Sequence, residues 1–167
     1  MSTGRLRAAV AVLLTGFVVG CAGDGNEGGE GDPASQPANL AFIDVAATSA
    51  VSGEIAPAVA RFFSYDFRQL DEHSAQIMAD STAKYWAEVE PTLGVVRQVA
   101  SAQQVVTTAE VVATSVHLLE PSRAELLLFL NRNTTRTGVA PQQEPSSIIV
   151  TAARIGPAWK LDGMRVL

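Results

Sequence analysis

Apolar residues recur at three- and four-residue steps through Leu40, Ile43, Ala47, Val51, Ile55, Val59 and the Phe62/Phe63 pair. That spacing lines one face of an α-helix. Pro57 falls inside the pattern and predicts a kink or a split, because proline removes a backbone donor and crowds the preceding turn. Ser64-Tyr65-Asp66 reads as the end of this helix. A short helix is predicted over residues 68–79, with Asp80 or Ser81 as the cap of a third that carries Tyr85, Trp86 and Val89. Pro91 suits the first turn of a further helical piece reaching about residue 100.

The pattern then changes. Residues 105–119 are rich in Val and Thr and read as a strand, and Glu120-Pro121-Ser122 marks a turn. A second strand is predicted over 124–135, centred on Leu126-Leu127-Leu128-Phe129-Leu130. Residues 136–145 are polar with Gly and Pro and read as a loop. A third strand over 147–155, a tight turn at Gly156-Pro157 and a fourth strand over 159–166 follow. Short connections between consecutive strands favour an antiparallel meander of about four strands. Helices first and strands afterwards is the α+β order.

The N-terminus has a different layout. Arg5 and Arg7 precede an almost unbroken apolar run from Ala8 to Val19, and small residues surround Gly20. This is the order of a secretory signal, and the run is short for a membrane span, which needs roughly 17–25 apolar residues. Val18-Val19-Gly20-Cys21 resembles the bacterial lipobox, which implies a diacylglyceryl group on Cys21 and cleavage just before it. Cys21 is the chain's single cysteine, so it has no internal disulfide partner. Ala22 to Pro37 is rich in Gly, acidic residues, Pro and Ser, and reads as a flexible tether. The expected organisation is therefore a lipoprotein signal at 1–20, lipidated Cys21 and tether at 21–38, and one domain at 39–167. It places the protein on the outer face of a cytoplasmic membrane.

Charge narrows the partners. Without residues 1–20 the 12 Lys+Arg fall to 10 by loss of Arg5 and Arg7, against 17 Asp+Glu, giving net −7. An acidic chain with no basic cluster argues against nucleic acid and against electrostatic docking on anionic lipid.

Four segments carry a family resemblance: Phe63-Ser64-Tyr65-Asp66-Phe67-Arg68-Gln69-Leu70-Asp71; Thr107-Thr108-Ala109-Glu110-Val111-Val112; Leu127-Leu128-Phe129-Leu130-Asn131-Arg132-Asn133-Thr134-Thr135; and Trp159-Lys160-Leu161-Asp162. In this order they resemble the actinobacterial Mce-associated membrane proteins, across nearly all of residues 39–167. The outer domain of that family has the NTF2-like (SnoaL-like) cone fold. The resemblance implies a strongly curved sheet with the helices packed in its concave side. It also implies a supporting role beside Mce-type lipid transporter subunits. The chain departs from the family in its anchor, since typical members carry an N-terminal transmembrane helix.

Cones of this kind include enzymes, and acid–base chemistry there needs a carboxylate or histidine facing an apolar pocket. Tyr65, Asp66, Asp44 and His117 qualify by type. Asp66 reads as a turn or capping residue, Asp44 as the polar side of the first helix, and His117 as a partly exposed strand-end residue on the face of Val111, Ala113 and Ser115. Tyr65, Trp86, His117 and Phe129 are the candidate pocket residues. No ligand spacing for a metal, no phosphate loop and no nucleophile elbow is present in the sequence, so no cofactor is expected. Three readings remain: a non-enzymatic accessory protein with a plugged cone and an exposed apolar patch or edge strand, a carrier or sensor with an open apolar cavity, and a SnoaL-like enzyme.

Overall fold

The computed structural model describes residues 38–167. The expected signal, lipidated Cys21 and nearly all of the tether lie outside the described residues. A 3₁₀ turn at Leu40–Phe42 leads into α1, Val45–Phe63, whose N-cap Asp44 accepts from the Ala47 N–H at 2.8 Å. Helices α2, Leu70–Asp80, and α3, Ala83–Gln103, follow. The strands are β1, Tyr65–Asp66; β2, Val106–Leu119; β3, Arg123–Arg136; β4, Val139–Ile155; and β5, Ala158–Val166. They form one antiparallel sheet in the order β1-β2-β3-β4-β5. The α+β reading holds, with five strands instead of about four, because the Tyr65-Asp66 segment pairs with Thr107 and Val106.

Neither proline breaks its helix. Pro57 lies inside α1 and Pro91 inside a single α3 that runs on to Gln103, where a separate helical piece was expected. Both prolines and the residues four before them, Gly53 and Ala87, are exposed. Water can therefore satisfy the carbonyls that the missing N–H groups leave free. The cap of α3 is Thr82, whose Oγ1 accepts from the Tyr85 N–H at 3.2 Å. Asp80 instead pairs with Arg61 at 2.8 Å, and Ser81 is buried beside Leu161.

The core forms where α1 lies in the concave side of the sheet. Val51, Ile55 and Val59 present one stripe, and the sheet answers with Leu126, Leu128 and Leu130 of β3, Ile148 and Val150 of β4, and Leu161 of β5. Alternation along each strand selects these residues for one face. Extra residues at Val112 and His117 in β2 break that alternation, since Val111 pairs with Leu130 but Ala113 with Phe129, and Val116 with Leu126 but Leu118 with Glu125. Such bulges bend a strand and increase its twist, which suits a curled sheet. The segment expected as a loop at 136–145 is instead mostly strand, turning at Thr137-Gly138, with Gly138 at φ 77°. The Ser147 carbonyl accepts from Leu167 N–H on the side away from β3, so by alternation Pro145 also faces away from β3. Its missing donor costs the β3–β4 ladder nothing.

Side chains and one backbone bond satisfy part of the sheet edges, while Val139–Ser146 of β4 has no strand beside it opposite β3. On β2, Ser64 Oγ accepts from Ala109 N–H at 2.9 Å, Asn39 Oδ1 accepts from Leu119 N–H at 2.9 Å, and Asn39 Nδ2 donates to His117 O at 2.8 Å. On β5, Glu54 Oε2 accepts from Trp159 N–H at 2.8 Å and Leu161 O accepts from Thr82 N–H at 2.8 Å. Asn39 also caps the 3₁₀ turn at Ala41 N. Asn39→Ala should therefore cost about 1–3 kcal/mol. Urea unfolding should show a lower midpoint with an unchanged slope; an unchanged midpoint would mean that Asn39 does not secure the edge.

Candidate functional site: the mouth cavity and the outer sheet face

Helix α1 stops at Phe63, and beyond its end the concave side holds a cavity of about 400 Å³. Phe62 and Phe63 of α1 and Tyr85, Val89 and Leu93 of α3 form one side. Thr107, Arg132, Thr134 and Met164 of the sheet form another, and Tyr65 and His73 line it as well. The Phe62 and Tyr85 rings stack at 6.3 Å, and the Tyr65 ring lies 5.8 Å from His73.

His73 is buried on the apolar stripe Leu70–His73–Ile77 of α2. Its Nε2 lies 3.2 Å from both Arg61 O and Phe62 O, in the last turn of α1. Carbonyls only accept, so the proton sits on Nε2 and Nδ1 carries the lone pair. Burial pushes the imidazole pKa down, and the carbonyl bonds oppose this only in part. His73 is therefore neutral at pH 7. Tyr85 is 4% exposed, and burial, followed by the negative charge of Glu88, pushes its phenol up to about 12. Its hydroxyl remains a donor at physiological pH, and no hydrogen bond to it is found among the described residues. Thr107 and Thr134 bond each other through their hydroxyls at 3.1 Å. Arg132 Nη2 donates to Glu144 at 3.0 Å, and its guanidinium lies 5.6 Å from the Phe63 ring centroid. Its Nε is buried without a partner.

Of the residues singled out in the sequence, Tyr65 lines this cavity and Trp86, His117 and Phe129 do not. Trp86 follows Tyr85 by one helical step, about 100° round α3. His117 is an exposed bulge residue, so it does not share a face with Val111, and its backbone carbonyl is held by Asn39. Phe129 points outward because Leu128 and Leu130 take the inward positions. Asp66 is tied to Arg68, whose side chain and N–H hold its carboxyl down at about 2, and Asp44 caps α1. His73, Tyr85 and Arg132 were missed. The first two had a visible signal: His73 interrupts an apolar stripe, and Tyr85 leads the stripe Tyr85–Val89–Leu93–Val96 at helical spacing. Among the described residues no group of three or more His, Cys, Asp or Glu could hold a metal, and no helix is long and apolar enough to cross a membrane.

The outer face of the sheet carries a second feature. Ala113, Phe129 and Ser147 stand opposite one another across β2, β3 and β4, and Leu167 N–H reaches Ser147 O at 2.9 Å. Val112 joins this row through its bulge. Val112, Phe129 and Leu167 are 53%, 41% and 63% exposed and share a shallow depression with Pro145 and Val166. Leu127 and Ile149 continue the same face one row on, paired side by side.

No family model matches the chain, and no curated protein matches it. Solved structures do. An IcmL-like type IV secretion system protein from Legionella pneumophila superposes with a TM-score of 0.62 at 10% identity, covering 70% of this chain and 88% of its own. CagV from Helicobacter pylori, a VirB8 homologue of a type IV secretion system, gives 0.59 at 12% identity, covering 71% and 96%. An NTF2-like superfamily protein from Salmonella enterica gives 0.54 at 14% identity, covering 72% and 92%. These likenesses define the fold as NTF2-like: three helices against a curled five-stranded antiparallel sheet.

The His73 geometry sets a pH dependence. Its folded pKa lies below the unfolded value of about 6.5, so the unfolded chain binds the proton more readily. Stability should be full above that value and fall as pH drops below it. Urea unfolding across this window should show the loss, and His73→Gln should reduce the slope. Equal slopes in the two proteins would show that His73 does not titrate between the states.

Proposed function

We propose that this chain is a non-enzymatic accessory protein of an envelope transport machine, exported, held to the membrane by lipid on Cys21, and docked through its outer sheet face. The observation that carries the reading is the exposed row of Val112, Phe129 and Leu167 on the outer face of the sheet. Contiguous exposed apolar residues mark interaction surfaces, whereas strand addition needs free backbone groups at an edge. The secretion-system proteins that share the fold support an envelope role. At the finer level the partner is a Mce-type lipid transporter, a reading supported by the four sequence segments that resemble Mce-associated proteins.

The cavity chemistry agrees with a non-enzymatic role. A phenol at about 12 is a poor general acid near neutral pH, and His73 spends its one proton on the carbonyls of α1. Glu88 is exposed.

Crosslinking in intact cells, affinity capture of the tagged protein and mass spectrometry test the proposal. Mce-type transporter subunits should be enriched with the wild-type chain and depleted with Cys21→Ser, which cannot receive lipid. A capture free of any envelope transport component would remove the accessory reading; recovery equal to wild type with Cys21→Ser would remove the lipid anchor.

A further inference from the structure

We propose that the mouth cavity binds a molecule with an apolar body and one uncharged carbonyl, such as a fatty-acyl ester, whose oxygen accepts from the Tyr85 hydroxyl. This goes beyond the docking reading and does not depend on it. Several polar groups around the cavity are engaged with one another or with the backbone. Thr107 and Thr134 bond each other, His73 Nε2 serves the α1 carbonyls, and Arg132 Nη2 is held by Glu144 while its Nε is buried without a partner. Tyr85 differs: the residue is 4% exposed, its ring stacks on Phe62, and its hydroxyl has no partner among the described residues. Because that hydroxyl is not sealed from solvent, it is free to donate to an acceptor bound in the cavity.

The surroundings select the acceptor. Phe62, Val89, Leu93 and Met164 offer an apolar lining, and about 400 Å³ lies within the usual range for small-molecule sites of roughly 300–1,000 Å³. Charge favours a neutral head. The positive charge of Arg132 is offset by Glu144, and Glu88 acts on Tyr85 closely enough to raise its phenol. The same field disfavours a carboxylate beside that hydroxyl. A neutral carbonyl takes the donor without bringing a negative charge toward Glu88.

The test uses the full chain carrying Cys21→Ser, so that no lipid of its own competes for the cavity. Three fluorescent probes with one hydrocarbon body are titrated near neutral pH: the methyl ester, the free acid, which is ionised there, and the plain alkane. The ester should bind most tightly. Tyr85→Phe keeps the ring and should weaken ester binding about tenfold while leaving the alkane unchanged. Val89→Trp should fill the cavity and remove binding of all three, and thermal unfolding of each variant verifies that it is folded. The proposal is overturned if the acid binds as tightly as the ester, if the ester gains nothing over the alkane, or if Tyr85→Phe leaves ester binding unchanged. It is overturned equally if no probe binds, since water alone then meets the hydroxyl.

Discussion

Burial of the Val51–Ile55–Val59 stripe of α1 in the trough of the sheet is the contact on which the rest of the structure depends. Each of these side chains contributes about 1.5–3 kcal/mol when fully removed from water. The contact requires a curved sheet, and the extra residues at Val112 and His117 allow β2 to bend. The same helix also manages the edges. Asn39 just before it and Ser64 just after it satisfy β2, while Glu54 within it satisfies β5. One helix and its flanking residues thus fill the trough and satisfy part of each sheet edge. Its end at Phe63 leaves the trough unfilled, and the mouth cavity is that remainder.

Two surfaces follow from this arrangement, with different chemistry. Inside, the cavity offers largely apolar walls with a few polar groups, among them the Tyr85 hydroxyl and Arg132. Outside, the bulge that helps curve β2 also pushes Val112 outward beside Phe129 and Leu167. The outer face exposes these apolar side chains in a row, which is the surface a protein partner can bury.

Much of the fold was legible because period dominates it. The three- and four-residue spacing of α1 and the alternation of Leu126, Leu128 and Leu130 name the two halves of the core directly. Misreadings fell where local chemistry and tertiary context disagree. The prolines read as ends or starts of elements, yet Pro57 and Pro91 are exposed within helices, Pro145 faces away from β3 and Pro141 sits at a register shift of the β3–β4 pair. The Tyr65-Asp66 strand is two residues long and exists only through pairing with β2, so no local period announces it. The cavity was half legible. Tyr65, Phe129 and His117 were named by type; the Leu128/Leu130 phase turns Phe129 outward, and His117 is an exposed bulge residue, so it does not share the face of Val111. Tyr85 and His73 carry the more useful signal, a polar group lying on an apolar helical stripe.

The outer face is best tested by placing a photo-crosslinking phenylalanine analogue at position 129 in living cells, with the same analogue at exposed Val139 as control. Covalent capture of an envelope transporter subunit from position 129 and not from position 139 is the predicted result. Equal capture from both positions, or none from position 129 while the protein remains folded and exported, would contradict the account.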